Sequence, residues 1–334
     1  MNNEAKRTLP WRDILLPGYE VRKTKAQKER FISLVKESFD GRTAVSVENE
    51  GTLVKSRNIV LGDPGRADII FTAHYDTCAR LPFPNFITPM NMPVYLLTQT
   101  LLALLLLIPA FLIDILAASL TKSLIVTEMT LFAVCAAEMY LILAGPANPH
   151  TANDNTSGVA ALLTLADELV GKYGDKTAFI LFDNEEKGLL GSSAYAKRHG
   201  NVRDNGFLVN LDCVSDGDNI LFSFKKAKKG SDAEHPSERL YEFARERAGE
   251  ILAEYSKNAV VTKKAFYPSD QAAFRYGSAV AALKKTRRGM LYMDRIHTPR
   301  DTQFDETNID AIVRFFTQYT AQAFTQNLTI EKEN

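Results

Sequence analysis

Apolar residues recur at close to helical spacing across residues 24–39, TKAQKERFISLVKESF, where Phe31, Ile32, Leu34, Val35 and Phe39 predict an amphipathic helix. Short β-rich runs follow: TAVSV (43–47), NIVLG (58–62) and DIIFTAH (68–74), separated by Gly, Asp and Pro turn signals. TAFILF (177–182) and GFLVNLD (206–212) are apolar runs of strand length bounded by polar residues, the pattern of strands buried on both faces. Between and after them, residues 157–170 and 237–255 have helix-forming composition, with Ser157 and Ser237 as expected N-caps. This alternation predicts an α/β fold with a mixed, largely parallel central sheet flanked by helices.

One stretch departs from that pattern. Residues 92–116, MPVYLLTQTLLALLLLIPAFLIDIL, are long and apolar enough to cross roughly 30 Å of hydrocarbon. After a polar link around Ser119 to Ser123, a second apolar segment (124–145) carries Glu128 and Glu138, each costly in lipid. Two spans with a short link form a hairpin that returns the chain to the side it left. The expected organisation is therefore a discontinuous α/β domain, residues 1–91 and 146–334, with an inserted transmembrane hairpin at 92–145. The alternative is a soluble helical hairpin that dimerises or covers the site, with the acids facing protein or water. Two hairpins packed as a homodimer would also shelter those acids. The first residues show no continuous apolar stretch of the secretory kind, and the link holds only Lys122 against many Lys and Arg elsewhere. The expectation is a two-span membrane protein with its α/β domain in the cytoplasm.

Composition narrows the function. Of 334 residues, 46% are apolar and 24% charged, an ordinary globular balance, and 40 Lys plus Arg match 40 Asp plus Glu. No net field favours nucleic acid, so no nucleic-acid partner is expected. Cys78, Cys135 and Cys213 lie far apart without a CxxC pair, which points to reduced thiols rather than a disulfide framework or a thiolate zinc site.

The candidate chemistry lies at the ends of the predicted strands. FTAHYDT places His74 and Asp76 two residues apart, on one face by period-two geometry, with Asp76 positioned to orient a metal-binding imidazole. Asp154 sits in the polar turn ANDNTSG before a helix, where a carboxylate alone would suit the helix terminus. Glu185 and Glu186 are adjacent acids just beyond a buried strand, Asp212 closes the next strand, and His297 follows a later apolar run. Each alone is an ordinary polar strand end. Together, two His and three carboxylates form the mixed N and O ligand set that zinc accepts, enough for a two-metal site. Two Zn²⁺ carry four positive charges against three carboxylates, which leaves one for a bridging hydroxide to neutralise.

These motifs, HYD, ANDNTSG, NEEKGLLGS, the strand-end Asp and IHTPRDT, resemble those of the M28 family of metallopeptidases, across residues 23–77 and 148–324. The resemblance implies a zinc-exopeptidase-like fold of the phosphorylase/hydrolase kind and a co-catalytic di-zinc aminopeptidase acting on peptides. It implies that His74 and Glu186 bind one zinc, that Asp212 and His297 bind the other, and that Asp154 bridges them. Co²⁺ or Mn²⁺ are possible substitutes. Asp76 would orient His74, and Glu185 would serve as general base and acid. YPSDQAAF resembles the family's SDH-type segment, with Gln271 where His is usual, and marks Tyr267 and Asp270 as substrate-side candidates. His150, His199 and His235 match no ligand position. Two alternatives stay open: a glutaminyl-cyclase-like acyltransferase using one zinc, and a catalytically inactive receptor or binding protein. Five intact ligand positions and Glu185 weigh against them, and two spans are too few for a transporter.

Overall fold

In the computed structural model, residues 9–52, 54–226 and 235–333 are described, with side chains given to residue 324; the first eight residues of the N-terminal reading lie outside the described residues. The helices are α1 (Trp11–Tyr19), α2 (Lys25–Phe39), α3 (Met92–Thr121), α4 (Leu124–Ala144), α5 (Gly158–Leu169), α6 (Leu190–Arg198), α7 (Gly200–Asn205), α8 (Pro236–Ala253) and α9 (Glu306–Glu333). The strands are β1 (Val45–Glu50), β2 (Ser56–Leu61), β3 (Ile69–His74), β4 (Thr177–Phe182), β5 (Phe207–Leu211), β6 (Asn219–Phe224), β7 (Asn258–Thr262), β8 (Tyr276–Lys285) and β9 (Leu291–Tyr292). They form one mixed sheet in the order β1-β2-β4-β3-β5-β8-β6-β7, with β9 paired to β8. Its centre, β4-β3-β5-β8, is parallel throughout; β2 and β1 join it antiparallel on one side, and β6 joins β8 antiparallel on the other with β7 parallel to β6 at the edge. This is the mixed, largely parallel sheet that the chain's alternating pattern predicts.

Strand alternation divides the core into two layers. Ile69, Phe71 and Ala73 of β3 join Phe179 and Leu181 of β4 beneath α1, α2, α5, α8 and α9. Ile70 of β3 and Ala178, Ile180 and Phe182 of β4 face α6 and α7 instead, packing on Tyr195, Ala196 and Val202. Fully burying a side chain of this size contributes roughly 1.5–3 kcal/mol, so the sheet is fixed from both faces. Helix α2 begins at a capping box in which Thr24 and Gln27 satisfy each other's backbone N–H. Its buried stripe holds Phe31, Ile32, Val35 and Phe39, and also Lys28, which pairs with Asp183 at the end of β4.

Two expected caps differ. Ser157 precedes α5 but is itself helical, because residues 152–157 already form a turn; its hydroxyl donates to the Asn153 carbonyl and accepts from Val214 N–H. The cap of helix α8 lies two residues earlier than expected, at His235, with Pro236 at the first helical position and the His235 ring accepting from Ser237 N–H, so Ser237 is not the cap.

Helices α3 and α4 pack on each other, and both are long and apolar enough to cross a membrane. Ser119, Leu120 and Thr121, expected in the link, continue α3, which stops at Lys122 in a left-handed conformation; only Lys122 and Ser123 join the two helices. Ala110 is the one buried residue of α3 and α4 has none, so their leucines, isoleucines and phenylalanines face outward. Exposed apolar surface of this extent marks a face that another molecule covers. Glu128 is exposed within two turns of the link, and Glu138 lines an open groove between the two helices with Pro109 and Ile113.

Candidate metal centre

Parallel strands deliver their carboxyl ends to one edge of a sheet, and the candidate side chains collect there. His74 ends β3. Beyond β4 come Asp183, Asn184 and a tight turn holding Glu185 and Glu186, and Asp212 follows β5. Asp154 arrives from the loop before α5, and His297 from the loop after β9.

The Asp154 carboxylate lies at the middle of the cluster, Oδ1 3.2 Å from His74 Nε2 and Oδ2 3.0 Å from His297 Nε2. His74 Nε2 is also 3.7 Å from Asp212 Oδ1, while His297 Nε2 is 3.2 Å from Glu186 Oε2. These contacts group His74 with Asp212 and His297 with Glu186, Asp154 being common to both, whereas the family resemblance implied the opposite pairing. Ligand atoms of Glu186 also lie within 4.8 Å of those of His74 and Asp154, so Glu186 stands near both imidazoles.

Buried polar side chains hold these groups in place. Asp76 accepts from the backbone N–H of Glu185 at 2.9 Å and of Glu186 at 3.3 Å, and its Oδ1 is 3.5 Å from His74 Nδ1. Asp301 accepts from the N–H groups of Asn153 and Asp154, both at 2.9 Å. Asn155 donates to the Leu211 carbonyl and accepts from Gly158 and Cys213 N–H, tying the end of β5 to the start of α5. Ser269 donates to Glu185 Oε1 at 3.3 Å. Three non-glycine residues at or beside the cluster, Asn184, Cys213 and His297, have φ between 55° and 60°. Such backbone costs of order 1–3 kcal/mol per residue and persists where packing imposes it.

Crowded acids set the electrostatics. Burial opposes charge on both imidazoles, yet Glu185 beside His74 and Glu186 beside His297, with the bonds from Asp154, raise both rings well above their ordinary pKa. Glu185 is raised well above the carboxylate range by desolvation and by Glu186, Asp270 and Asp212; Glu186 is raised by desolvation and by Asp154. Asp154 is depressed despite burial by its bonds to His297 and His74. Asp270 and Asp301 are each pushed up to about 7, mainly by burial. Arg22, wholly buried behind the cluster, is lowered to about 10 by burial, against the pull of Asp76 and other acids, and donates to the Tyr75 carbonyl and Thr156.

The donor set fits divalent cations. Among the described residues Glu186 Oε1 is buried without a hydrogen-bond partner, and ligand atoms of His74, Asp154 and Glu186 lie within 4.8 Å of one another. Buried carboxylates in such numbers need cations, and N and O donors suit zinc.

Sequence reasoning missed several residues at this site. The thiols of Cys78 and Cys213 lie within ligand distance of the cluster, Cys78 with Glu186 and His297, and Cys213 with Asp154 and Asp212. Asp301, Asn155 and Ser269 stood within the motifs quoted, but their contacts cross 147, 56 and 84 residues of chain. Tyr267 lines the cavity and donates its hydroxyl to the Asp212 carbonyl, and Asp270 is wholly buried. The remaining histidines lie elsewhere: His150 beside Glu20, His199 paired with Glu48, and His235 at the head of α8.

The profile of "Peptidase family M28" matches residues 137–320. Comparison with curated protein sequences returns no match. Among solved structures, the Legionella pneumophila LapA aminopeptidase is similar in fold at 12% identity and TM-score 0.52, covering 94% of this chain and 69% of its own. Porphyromonas gingivalis glutaminyl cyclase aligns at 16% identity and TM-score 0.55, covering 94% and 96%. Macrostomum lignano glutaminyl cyclase does so at 13% and 0.56, covering 94% and 88%. At these identities the likeness concerns the fold alone.

Proposed function

The chain belongs to peptidase family M28, and on that footing we propose that it is a membrane-anchored di-zinc aminopeptidase, releasing the amino-terminal residue of peptides. The observation that carries the reading is the convergence of His74, Asp154, Glu186, Asp212 and His297, with Glu185 beside them, at the carboxyl edge of the parallel strands. His74 and Asp212 would hold one cation, His297 and Glu186 the other, and Asp154 both. When bound, the cations supply Lewis-acid polarisation of the scissile carbonyl and make water more acidic.

The protein's own groups do the rest. Glu185 takes a proton from the attacking water and passes it to the leaving amine. Desolvation and the neighbouring acids raise its proton affinity, which suits both transfers. Asp76 fixes the backbone of that glutamate and faces the back of His74. The substrate's free amino group, a cation, enters a site rich in carboxylates.

The hairpin sets where this happens. At ~1.5 Å per residue the 21 residues of α4 cover about 32 Å, a match to the hydrocarbon core. Helix α3 has 30 residues, and since the two meet at the link, its surplus turns lie at the domain end. There Thr98 donates to the Phe86 carbonyl and Gln99 to Asn85. On this reading both spans cross the bilayer, the domain faces the cytoplasm, and the metal centre, whose cavity Tyr95 of α3 lines, opens near the membrane surface.

Release of amino-terminal residues from a peptide panel by detergent-purified, zinc-loaded protein, compared with Glu185→Gln, tests the reading. Cleavage by the native chain that collapses in the variant supports it. Ammonia release from peptides beginning with Gln, without hydrolysis, would replace it with the cyclase reading; neither reaction would replace it with a binding protein.

A further inference from the structure

The residues lining the cavity at the metal centre, about 110 Å³, fall into two unlike groups. One is the ligand cluster with Glu185. The other is formed by Ile87, Tyr95, Tyr267, Pro268 and Ile296, with no charged side chain among them. Two of these, Ile87 and Tyr95, come from the strap leading into α3 and from the first turn of α3 itself, not from the sheet or its helices. Such a wall accepts an apolar group and penalises a charged one, which would lose its hydration without gaining a partner.

The wall is also held still. Ile87 exchanges two backbone hydrogen bonds with Met293, four residues before His297, at 2.9 and 3.0 Å. The Tyr95 ring meets Phe266 edge-on at 5.3 Å, and Phe266 N–H donates to the Pro89 carbonyl at 2.9 Å. One turn further along, Thr98 and Gln99 dock α3 onto residues 85 and 86. The hairpin helix is therefore joined to the metal-site loop on one side and to the substrate loop at Tyr267 on the other. The volume of about 110 Å³ takes in the space beside the ligand cluster as well, so what is left against the apolar residues suits a short side chain.

We propose that Tyr95, with Ile87, sets the specificity of the site, so that the membrane hairpin forms one wall of the pocket for the amino-terminal side chain and restricts substrates to those beginning with small or branched aliphatic residues. The proposal rests on the aminopeptidase reading and names its substrate class. Tyr95 acts by position, through its ring, because the cavity needs a wall there and not a proton donor.

The test measures kcat and KM of detergent-purified, zinc-loaded protein on otherwise identical peptides beginning with Ala, Leu, Phe and Lys. The native chain is expected to favour Ala and Leu over Phe and Lys. Tyr95→Ala raises kcat/KM for the Phe peptide relative to the Ala peptide by about tenfold or more, through KM, the order of effect that pocket size exerts; Tyr95→Phe keeps the native order. Ile87→Trp works in the opposite sense, rejecting Leu while retaining Ala, and covers the case in which Tyr95→Ala does not fold. Unchanged ratios in a folded, active Tyr95→Ala, or an unaltered profile in Ile87→Trp, would overturn the proposal and leave the aminopeptidase reading standing. A native chain that releases no amino-terminal residue from any peptide would overturn both.

Discussion

Replacing Asp76 with Asn keeps the shape of the side chain but removes its charge and one of two acceptor oxygens. In the native protein those oxygens take the backbone N–H groups of Glu185 and Glu186, and one faces His74 Nδ1. An amide offers one acceptor, so one N–H in the turn loses its partner. A hydrogen bond to a charged group contributes roughly 1.5–3 kcal/mol, and at about 1.4 kcal/mol per decade full expression in the transition state lowers kcat by about ten- to hundredfold. An effect carried by the imidazole alone would act differently: loss of a ligand's supporting partner lowers metal affinity by about 10–100-fold, and excess zinc would restore the rate. The assay is kcat across a series of buffered free-zinc concentrations. A rate that stays low at saturating zinc places Asp76 on the glutamate turn; full recovery would refute that reasoning and leave Asp76 as a support for His74 only.

Glu185→Gln should lower kcat by about 10²–10⁴ with bound zinc unchanged by elemental analysis; loss of metal would mean that Glu185 is a ligand instead. Asp301→Ala frees the N–H groups of Asn153 and Asp154 and should weaken zinc binding by about 10–100-fold in chelator competition; native affinity would remove Asp301 from the site. Metal binding should release protons. The neighbouring acids raise His74 and His297 well above the ordinary imidazole range in the metal-free site, so zinc must displace protons from them, and the number released falls as the pH rises through their folded-state values. Calorimetry of zinc binding in buffers of different ionisation enthalpy reads this number, and a buffer-independent heat would contradict it. In sealed vesicles of a Cys135→Ala background, an impermeant maleimide should label Lys122→Cys from the side opposite to Lys197→Cys; labelling from one side would rule out a spanning hairpin.

The legible parts of the chain were those governed by local pattern. Strand β4 has the bounds its apolar run predicts, because polar residues close it at both ends. Helix α2 lies where its spacing places it, while its buried Lys28 broke the pattern because the partner, Asp183, is far away in sequence. The link between α3 and α4 was read as longer than it is, since Ser119 and Thr121 are polar yet satisfy their hydroxyls on carbonyls three and four residues back inside the helix. Ligand-type residues stood out because strand ends in parallel sheets collect at one edge. Which histidine faces which carboxylate did not, because that depends on strand order, and nothing in the local sequence places β3 between β4 and β5. The thiols of Cys78 and Cys213 stayed hidden for the same reason.

Strand order also bears on how the protein is made. Both neighbours of β3, β4 and β5, follow the hairpin in the chain, so when α3 and α4 leave the ribosome the strand that carries His74 has no partner on either edge. Only β1 and β2 can pair with each other at that stage. Unpaired edges invite wrong partners, and pairings across a long separation form slowly. If the hairpin inserts as proposed, it reaches the membrane before the sheet can close, and the metal centre would be assembled on a chain already anchored. An insertion defect in α3 or α4 would then be felt first as a failure of the soluble half to mature, with β3 left open to chaperones and proteases.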